Sequence, residues 1–339
     1  MGRKLRSIVE ALKDKASQTK ASLLCTYVDG ATTTATTSSA VIITPHLAVL
    51  RATPHHPPDS PPDPRHLSTL LSFGSSPRPA AAALLSSLTS RLLSTRNPSV
   101  ALKSLLALRH LHLHGAFILR DQLLSALSPS PGSRHPLHLS PFPHSLPLSS
   151  WARWLAALLE LLLAAPLSSS DPDSISSLLN DHLLRDLNSL THLLLETRRF
   201  PPFPIWEENA LVREVVRVVA VDALSAERAI LLRLREARER LASLDYADSV
   251  ELLCLLRRLD EQPGEKPKPQ PFDLDPRAEI SFWREVKEVR EVVNELVTKR
   301  ESEKGRLRTM RRERLGESDR FLVRSGLVQP VRSGSFRFV

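Results

Sequence analysis

The chain has 339 residues, enough for one large domain or two ordinary ones, and its 42% hydrophobic content suffices for a substantial buried core. A net charge of +9 indicates an anionic partner such as phospholipid or nucleic acid. The most apolar window, residues 155–165, is too short to span a bilayer and contains Glu160, which argues against a membrane-spanning segment. Few glycines and tyrosines, with periodic Leu, Ala, Arg and Glu, favour helices over sheet.

The first predicted helix spans residues 3–24, where apolar residues recur at helical spacing. Basic residues surround that apolar stripe: Arg3, Lys4, Arg6, Lys13, Lys15 and Lys20. Such a helix can lie on an anionic membrane surface, and a helix packed on the core with a solvated basic face is the simpler interpretation. Residues 26–40 are rich in Thr, Ser and Ala, a composition that predicts a flexible insert.

The middle of the chain predicts a row of helices with short connections. They cover residues 46–52, a segment that starts near His66, and residues 79–95, 98–113, 116–127, 150–165 and 172–199. Asn97 and Pro98 give a strong helix start, with Asn as the N-cap and Pro at the first helical position, and Gly115 marks the end of that helix. Residues 128–149 form a Pro/Ser/His loop without periodicity.

The C-terminal third continues this pattern. Helices are predicted over residues 206–243 and 247–259, followed by a Pro/Lys linker over 261–276 and a last helix over 277–304. Residues 305–339 are rich in Arg and are predicted to be disordered. About ten helices with short connections predict an all-α fold, a solenoid or superhelix in which consecutive helices stack.

A proline-rich loop between two of the predicted helices carries a candidate binding site. Arg51 lies at the end of the apolar segment before the loop, and Arg65 and His66 begin the segment after it. Pro57, Pro58, Pro61 and Pro62 restrict the backbone between them, so the loop loses less entropy when it holds one shape. Two separated basic clusters suit a phosphate-bearing headgroup. A solvated Pro/His surface loop is the alternative interpretation.

No pattern of residues indicates a catalytic or metal site. Glycine-rich phosphate loops, the nucleophile elbow and the ligand spacings of zinc sites are absent from the sequence. His110 and His114 can share a helical face, but no Glu lies between them as in the zinc-protease motif, so we interpret them as structural or surface histidines. We therefore predict a protein that is not an enzyme and that needs no cofactor or metal.

The cysteines and the N-terminus indicate the compartment. Cys25 and Cys254 are far apart in sequence and lie in apolar runs, which predicts buried, reduced thiols rather than a disulfide. The chain is charged from Arg3 onward and has no apolar stretch of signal-peptide type. We expect a cytosolic protein that touches membranes only from outside.

The loop motif and three further stretches together resemble the ANTH domain of the ENTH/ANTH superfamily, as found in plant clathrin assembly proteins. The family's phosphoinositide-binding signature runs Lys-Ala-Thr and, after a short spacer, Pro-Lys-x-Lys/Arg-His. Here Arg51-Ala52-Thr53 and Pro62-Asp63-Pro64-Arg65-His66 stand in those places. Residues 12–17, 100–110 and 150–160 are similar to other helices of the family. The resemblance covers residues 1–260, which are identified as an ANTH domain.

The resemblance implies a right-handed α-helical superhelix that binds phosphatidylinositol 4,5-bisphosphate through Arg51, Arg65 and His66. The basic residues that would support them are Lys13, Lys15 and Lys20. It also implies an endocytic adaptor, a peripheral membrane protein at clathrin-coated pits and vesicles and at Golgi membranes. Clathrin and vesicle SNARE cargo are the protein partners that the family suggests.

The sequence departs from the family pattern in two respects. Asp63 stands where the family has its middle Lys, and an anion in place of a cation costs about 2 kcal/mol at a charged membrane, so we predict weakened headgroup binding that Asp63→Lys strengthens. Residues 305–339 contain no Asn-Pro-Phe, Asp-Pro-Trp or Asp-Pro-Phe tripeptide, and residues 272–275 are only faintly similar to a clathrin box. Clathrin binding is therefore expected from the family and not from particular residues.

A basic helical scaffold that binds nucleic acid is the alternative function. Its main support is an arginine cluster near the C-terminus, formed by Arg308, Arg311, Arg312 and Arg314. Aromatic residues make up only 5% of the chain, and none alternate with this cluster to stack on bases. An adaptor should prefer bisphosphorylated inositides to bulk phosphatidylserine, whereas a scaffold should bind RNA or DNA with a steep salt dependence.

Overall fold

The computed structural model describes residues 9, 12, 14–20, 43–128, 135–139, 147–167, 171–199, 201, 208–260 and 276–324, and within these it describes only the backbone of 147, 276–280 and 307–324. All regular elements in this part of the chain are helical, and none of its residues lies in a strand. The predicted all-α class is confirmed. The predicted insert at 26–40 and the linker at 261–275 lie outside the described residues.

The helices are numbered in chain order, and α1 is described at residues 9, 12 and 14–20. The others are α2 (Pro45–Ala52), α3 (Pro64–Ser72), α4 (Arg78–Ser94), α5 (Pro98–His114), α6 (Phe117–Leu127), α7 (Pro147–Ala164), α8 (Pro172–Ser176), α9 (Asn180–Thr197), α10 (Ala210–Glu239), α11 (Tyr246–Asp260) and α12 (Pro276–Arg324). A short 3₁₀ turn, Phe73–Ser75, follows α3.

Capping residues explain several of the helix boundaries. Asn97 accepts a hydrogen bond from the Ser99 amide at 2.9 Å, and Pro98 is the first residue of α5, as predicted. Gly115 ends α5, and a Cβ atom at this position would lie 2.2 Å from the Leu111 carbonyl oxygen. Only glycine therefore fits where the chain leaves α5.

The helix predicted over residues 172–199 is in fact two helices, α8 and α9. The chain breaks after Ser176 because Arg240, at the end of α10, binds the carbonyl groups that a continuous helix would use internally. Its guanidinium donates to the carbonyl oxygen of Ser176 at 2.6 Å and to that of Leu178 at 2.5 Å. The prediction of one helix was wrong because Arg240 is distant in sequence from Ser176, and no pattern of residues near the break indicates its contacts.

Most helices two apart in sequence pack against each other in the described chain. The pairs are α2 with α4, α3 with α5, α4 with α6, α5 with α7, α7 with α9, α8 with α10, α9 with α11 and α10 with α12. Alternation of this kind is the arrangement of a stacked helical superhelix, which confirms the predicted architecture. One continuous apolar core runs through these layers, and α5 lies in its middle, with every residue from Ser99 to Arg109 buried.

The last helix departs from its prediction at the C-terminal end. It continues to Arg324, whereas the sequence predicted an end at 304 and disorder beyond. Its first half packs on α10 and α11 and is part of the core. The side chains that face the core at helical spacing are Phe282, Val286, Val289, Val293 and Val297.

Two further observations concern the cysteines and the membrane. Cys254 is exposed on α11, so its prediction as a buried thiol was wrong, and Cys25 lies outside the described residues. The sequence neighbours of Cys254, Leu253 and Leu255, face the core, whereas Cys254 itself faces solvent. Among the described helices, none combines the length and the apolar character that crossing a bilayer requires.

Candidate functional site

The loop of residues 53–63, called the proline loop below, connects α2 to α3, and these two helices pack together. Arg51 lies in the last turn of α2, and Arg65 and His66 lie in the first turn of α3. Arg65 is exposed, whereas Arg51 and His66 are half-buried. Within the described part of the chain, none of these three side chains has a hydrogen-bond or ion-pair partner. The three predicted headgroup residues thus lie at the two ends of one loop.

A buried lysine on α5 binds backbone carbonyl groups of the proline loop. Lys103 on α5 is fully buried, and its ammonium donates to the carbonyl oxygens of Pro54 at 2.9 Å and Pro57 at 2.7 Å. Burial lowers the pKa of Lys103 to about 8, although the carboxylates of Asp14 and Asp59 favour the charged form. The sequence places Lys103 on a predicted helix, and its sole local signal is a charge within the mostly apolar run of residues 100–108.

A second buried contact joins the proline loop to α1 and α4. The carboxylate of Asp14 accepts from the His55 backbone amide at 2.5 Å and lies 2.6 Å from His55 Nδ1. Arg91 on α4 donates to Asp14 at 3.2 Å and to the Thr53 carbonyl oxygen at 3.0 Å. Burial raises the pKa of Asp14, but the hydrogen bonds from His55 and the charges of His55 and Arg91 outweigh it and leave the pKa below its ordinary value.

A third contact fixes the C-terminal part of the proline loop to the start of α10. The amide of Leu211 donates to the Asp59 carbonyl oxygen at 2.7 Å, and the side-chain amide of Asn209 donates to the Asp59 carboxylate at 2.6 Å. Asn209 is also the N-cap of α10, where its side chain accepts from the Val212 amide. Four helices distant in sequence, α1, α4, α5 and α10, therefore hold the shape of this loop.

The structure shows a role of Asp63 that the resemblance to the family motif did not indicate. Asp63 is the N-cap of α3, and its carboxylate accepts from the Arg65 backbone amide at 2.8 Å. A carboxylate at this position is favoured because the helix N-terminus carries unpaired amides and a partial positive charge. The same carboxylate adds a negative charge beside Arg65. Asp63 thus stabilises α3 and weakens the positive potential of the site.

Two of the supporting basic residues predicted for the site, Lys15 and Lys20, belong to α1. Lys15 and Lys20 are exposed on the described part of this helix, and Lys15 directly follows the buried Asp14. Lys13 lies outside the described residues. Because Asp14 contacts the proline loop, the helix that carries Lys15 and Lys20 is anchored to the same loop as Arg51 and Arg65.

The histidines on α5 lie beside this region without forming a metal site. The rings of His110 and His114 have centroids 4.7 Å apart and line a groove of about 450 Å³ next to Pro61, Pro62 and Pro64. The pKa of His110 is lowered by burial and by the neighbouring His114 and Arg109. In the described part of the chain, no group of three or more His, Cys, Asp or Glu side chains could hold a metal ion.

Comparison with known proteins shows to which protein family the chain belongs. Residues 46–126, from α2 into α6, match the ANTH domain, and this segment contains Arg51, Arg65, His66 and Lys103. Putative clathrin assembly protein At4g40080 of Arabidopsis thaliana is 36% identical, in an alignment that covers 98% of this chain and 93% of the relative. Putative clathrin assembly protein At5g10410 of the same plant is 28% identical over 69% of each chain. The chain therefore belongs to the ANTH-domain family of plant clathrin assembly proteins.

Proposed function

We propose that this protein is a peripheral membrane adaptor of clathrin-mediated endocytosis that binds phosphatidylinositol 4,5-bisphosphate through Arg51, Arg65 and His66. The observation that carries the proposal is the proline loop, which buried contacts hold in one shape and whose ends carry basic side chains that have no partner among the described residues. Arginine suits phosphate because its planar guanidinium can donate two parallel hydrogen bonds. A loop that is already ordered loses little entropy when a headgroup binds.

We expect the affinity of this site to be modest. The Asp63 carboxylate occupies the Arg65 amide at the N-terminus of α3, a place where a phosphate could otherwise bind. A negative charge near the membrane also opposes the attraction of the nearby cations by about 1 kcal/mol. The exposed Lys15 and Lys20 of α1 and the adjacent Lys13 add positive charge that offsets part of this loss.

Co-sedimentation with vesicles at fixed salt tests the lipid part of the proposal. The natural chain should bind phosphatidylcholine vesicles that carry phosphatidylinositol 4,5-bisphosphate more tightly than vesicles of matched charge that carry phosphatidylserine. The double variant Arg51→Ala/Arg65→Ala should lose most of this preference. Arg185→Ala/Arg238→Ala removes the same charge from exposed sites on α9 and α10 and serves as the control. If the control weakens binding as much as the site variant, the loop is not the headgroup site.

The clathrin part of the proposal rests on the family, since both relatives are described as clathrin assembly proteins. We propose that the protein helps clathrin coats to assemble at coated pits and vesicles and that it sorts vesicle SNARE cargo there and at Golgi membranes. A pull-down with the clathrin terminal domain tests direct binding. Failure of the full-length chain to bind would restrict the role to lipid and cargo.

A further inference from the structure

We propose that Asp14 is a positioning residue of the headgroup site, because it anchors α1 so that Lys15 and Lys20 contribute to membrane binding. This inference rests on the proposed function. The buried Asp14 carboxylate contacts neither of the two lysines and does not touch a ligand itself. It acts through the helix that carries the lysines and through the proline loop that carries the other cations.

The contacts of Asp14 support this role. Its two carboxylate oxygens bind the backbone and the side chain of His55 and the guanidinium of Arg91, so one side chain links α1, the proline loop and α4. The Asp14 side chain is 8% exposed, against 17% for His55 and 18% for Arg91. A buried carboxylate with several hydrogen bonds is costly to break, because its partners are then left unpaired.

The position of the lysines follows from the geometry of α1. Lys15 is the next residue after Asp14, and Lys20 lies about 9 Å from Asp14 along the helix axis at 1.5 Å per residue. Both are exposed and have no carboxylate partner among the described residues. Electrostatic attraction to a membrane falls off within roughly 10 Å, so these lysines count only while α1 is held against the loop.

A second observation places Asp14 in the electrostatics of the same loop. Its charge acts on Lys103, the residue that binds the carbonyl groups of Pro54 and Pro57. Removal of Asp14 therefore takes a negative charge away from both Arg91 and Lys103, as well as a hydrogen-bond acceptor from His55. The proline loop then keeps its contacts to α5 and α10 but loses those to α1.

A double-mutant cycle distinguishes positioning from a merely structural role. Binding to vesicles that carry phosphatidylinositol 4,5-bisphosphate is measured for the natural chain, Asp14→Ala, Lys15→Ala/Lys20→Ala and the combined variant. The lysine substitutions should weaken binding about tenfold in the natural chain and less than about twofold in the Asp14→Ala background. An equal factor in both backgrounds, or no effect of the lysines in the natural chain, overturns the inference.

Two further variants test whether the result of the cycle depends on the contacts of Asp14. His55→Ala removes one partner of Asp14 from the loop and should give the same non-additivity to a smaller degree. It replaces Asp14→Ala in the cycle if Asp14→Ala does not fold. Asp121→Ala breaks the exposed pair with Arg78 and should leave the effect of the lysines unchanged.

Arg51→Ala/Arg65→Ala tests the proposed function separately. If that variant binds normally, the headgroup site itself is wrong, whereas an additive cycle beside a weakened Arg51→Ala/Arg65→Ala variant refutes only the role of Asp14.

Discussion

The proline loop and the packing of α12 are stabilised by different kinds of interaction. Buried polar groups hold the loop, with Lys103 and Asp14 at the centre of its hydrogen bonds. An apolar stripe holds α12 on α10 and α11, and the ion pair of Arg235 with Glu285 lies at the more exposed rim of this contact. A substitution that removes apolar volume from the core lowers the stability of the protein in proportion to that volume. A substitution that removes one partner of a buried polar contact also removes the local backbone conformation that the contact specifies.

Removal of the largest fully buried apolar side chain from α12 should have the largest effect on stability. Phe282 is 1% exposed and packs edge-to-face with Trp283, so Phe282→Ala should lower the free energy of unfolding by about 3–5 kcal/mol. Headgroup binding by the folded variant should not change, because no hydrogen bond or ion pair joins the proline loop to α12 among the residues that the structure describes. Chemical denaturation and vesicle binding test this pair of expectations. A folded variant with weakened vesicle binding would contradict the separation of the two regions.

Substitution of Lys103 should affect both stability and binding. Lys103→Met keeps the length of the side chain but leaves the carbonyl groups of Pro54 and Pro57 without their donor. We expect a loss of about 2–3 kcal/mol in unfolding free energy, because unpaired buried polar groups are costly, and a several-fold loss of headgroup binding. Lys287→Met on the exposed face of α12 is the matched control. Stability loss without any loss of binding would show that the loop keeps its shape without Lys103.

Two substitutions of Asp63 separate its charge from its cap. Asp63→Asn keeps a side-chain acceptor for the Arg65 amide and removes the negative charge, so vesicle binding should rise about fivefold at unchanged stability. Asp63→Lys should also strengthen binding, but it loses the cap and about 1 kcal/mol of stability. Titration with vesicles and thermal unfolding measure the two effects. Unchanged binding for both variants would mean that Asp63 does not face the lipid.

The smallest expected effect is a pH dependence from His112 on α5. Burial, and then the charges of Arg120 and Arg109, lower its pKa, and its buried Nδ1 has no hydrogen-bond partner among the described residues. Below about pH 6.5 the unfolded chain therefore binds this proton more readily than the folded one, and stability falls as the pH falls. His112→Gln should flatten that slope, and His182→Gln at an exposed site of α9 should not. Denaturation midpoints between pH 5 and 7 measure the difference; equal slopes for all three proteins would contradict it.

Much of the helical architecture could be predicted because its signals are local. The N-cap at Asn97, the first-turn Pro98 and the apolar periodicity of α12 depend only on neighbouring residues. The split between α8 and α9 could not be predicted, because it depends on Arg240, sixty residues or more away from its partners. The exposure of Cys254 in an apolar run was missed for a similar reason, since hydropathy alone does not say which face of α11 is covered.

The candidate site divides in the same way. The positions of Arg51, Arg65 and His66 at the ends of one loop followed from the motif, and the binding that we assign to them stays a prediction. The roles of Asp14, Lys103 and Arg91 could not be predicted, because each depends on a partner 38 to 77 residues away in sequence. Asp63 was recognised as a departure from the family, but its function as the cap of α3 emerged only from the backbone geometry.

By itself, the sequence determined the helical class, the order of the elements and which charged residues flank the proline loop, because periodicity, caps and prolines act over a few residues. The tertiary structure alone decided how that loop is held. Buried polar groups must find partners wherever the fold provides them, and here α1, α4, α5 and α10 supply those partners to the proline loop.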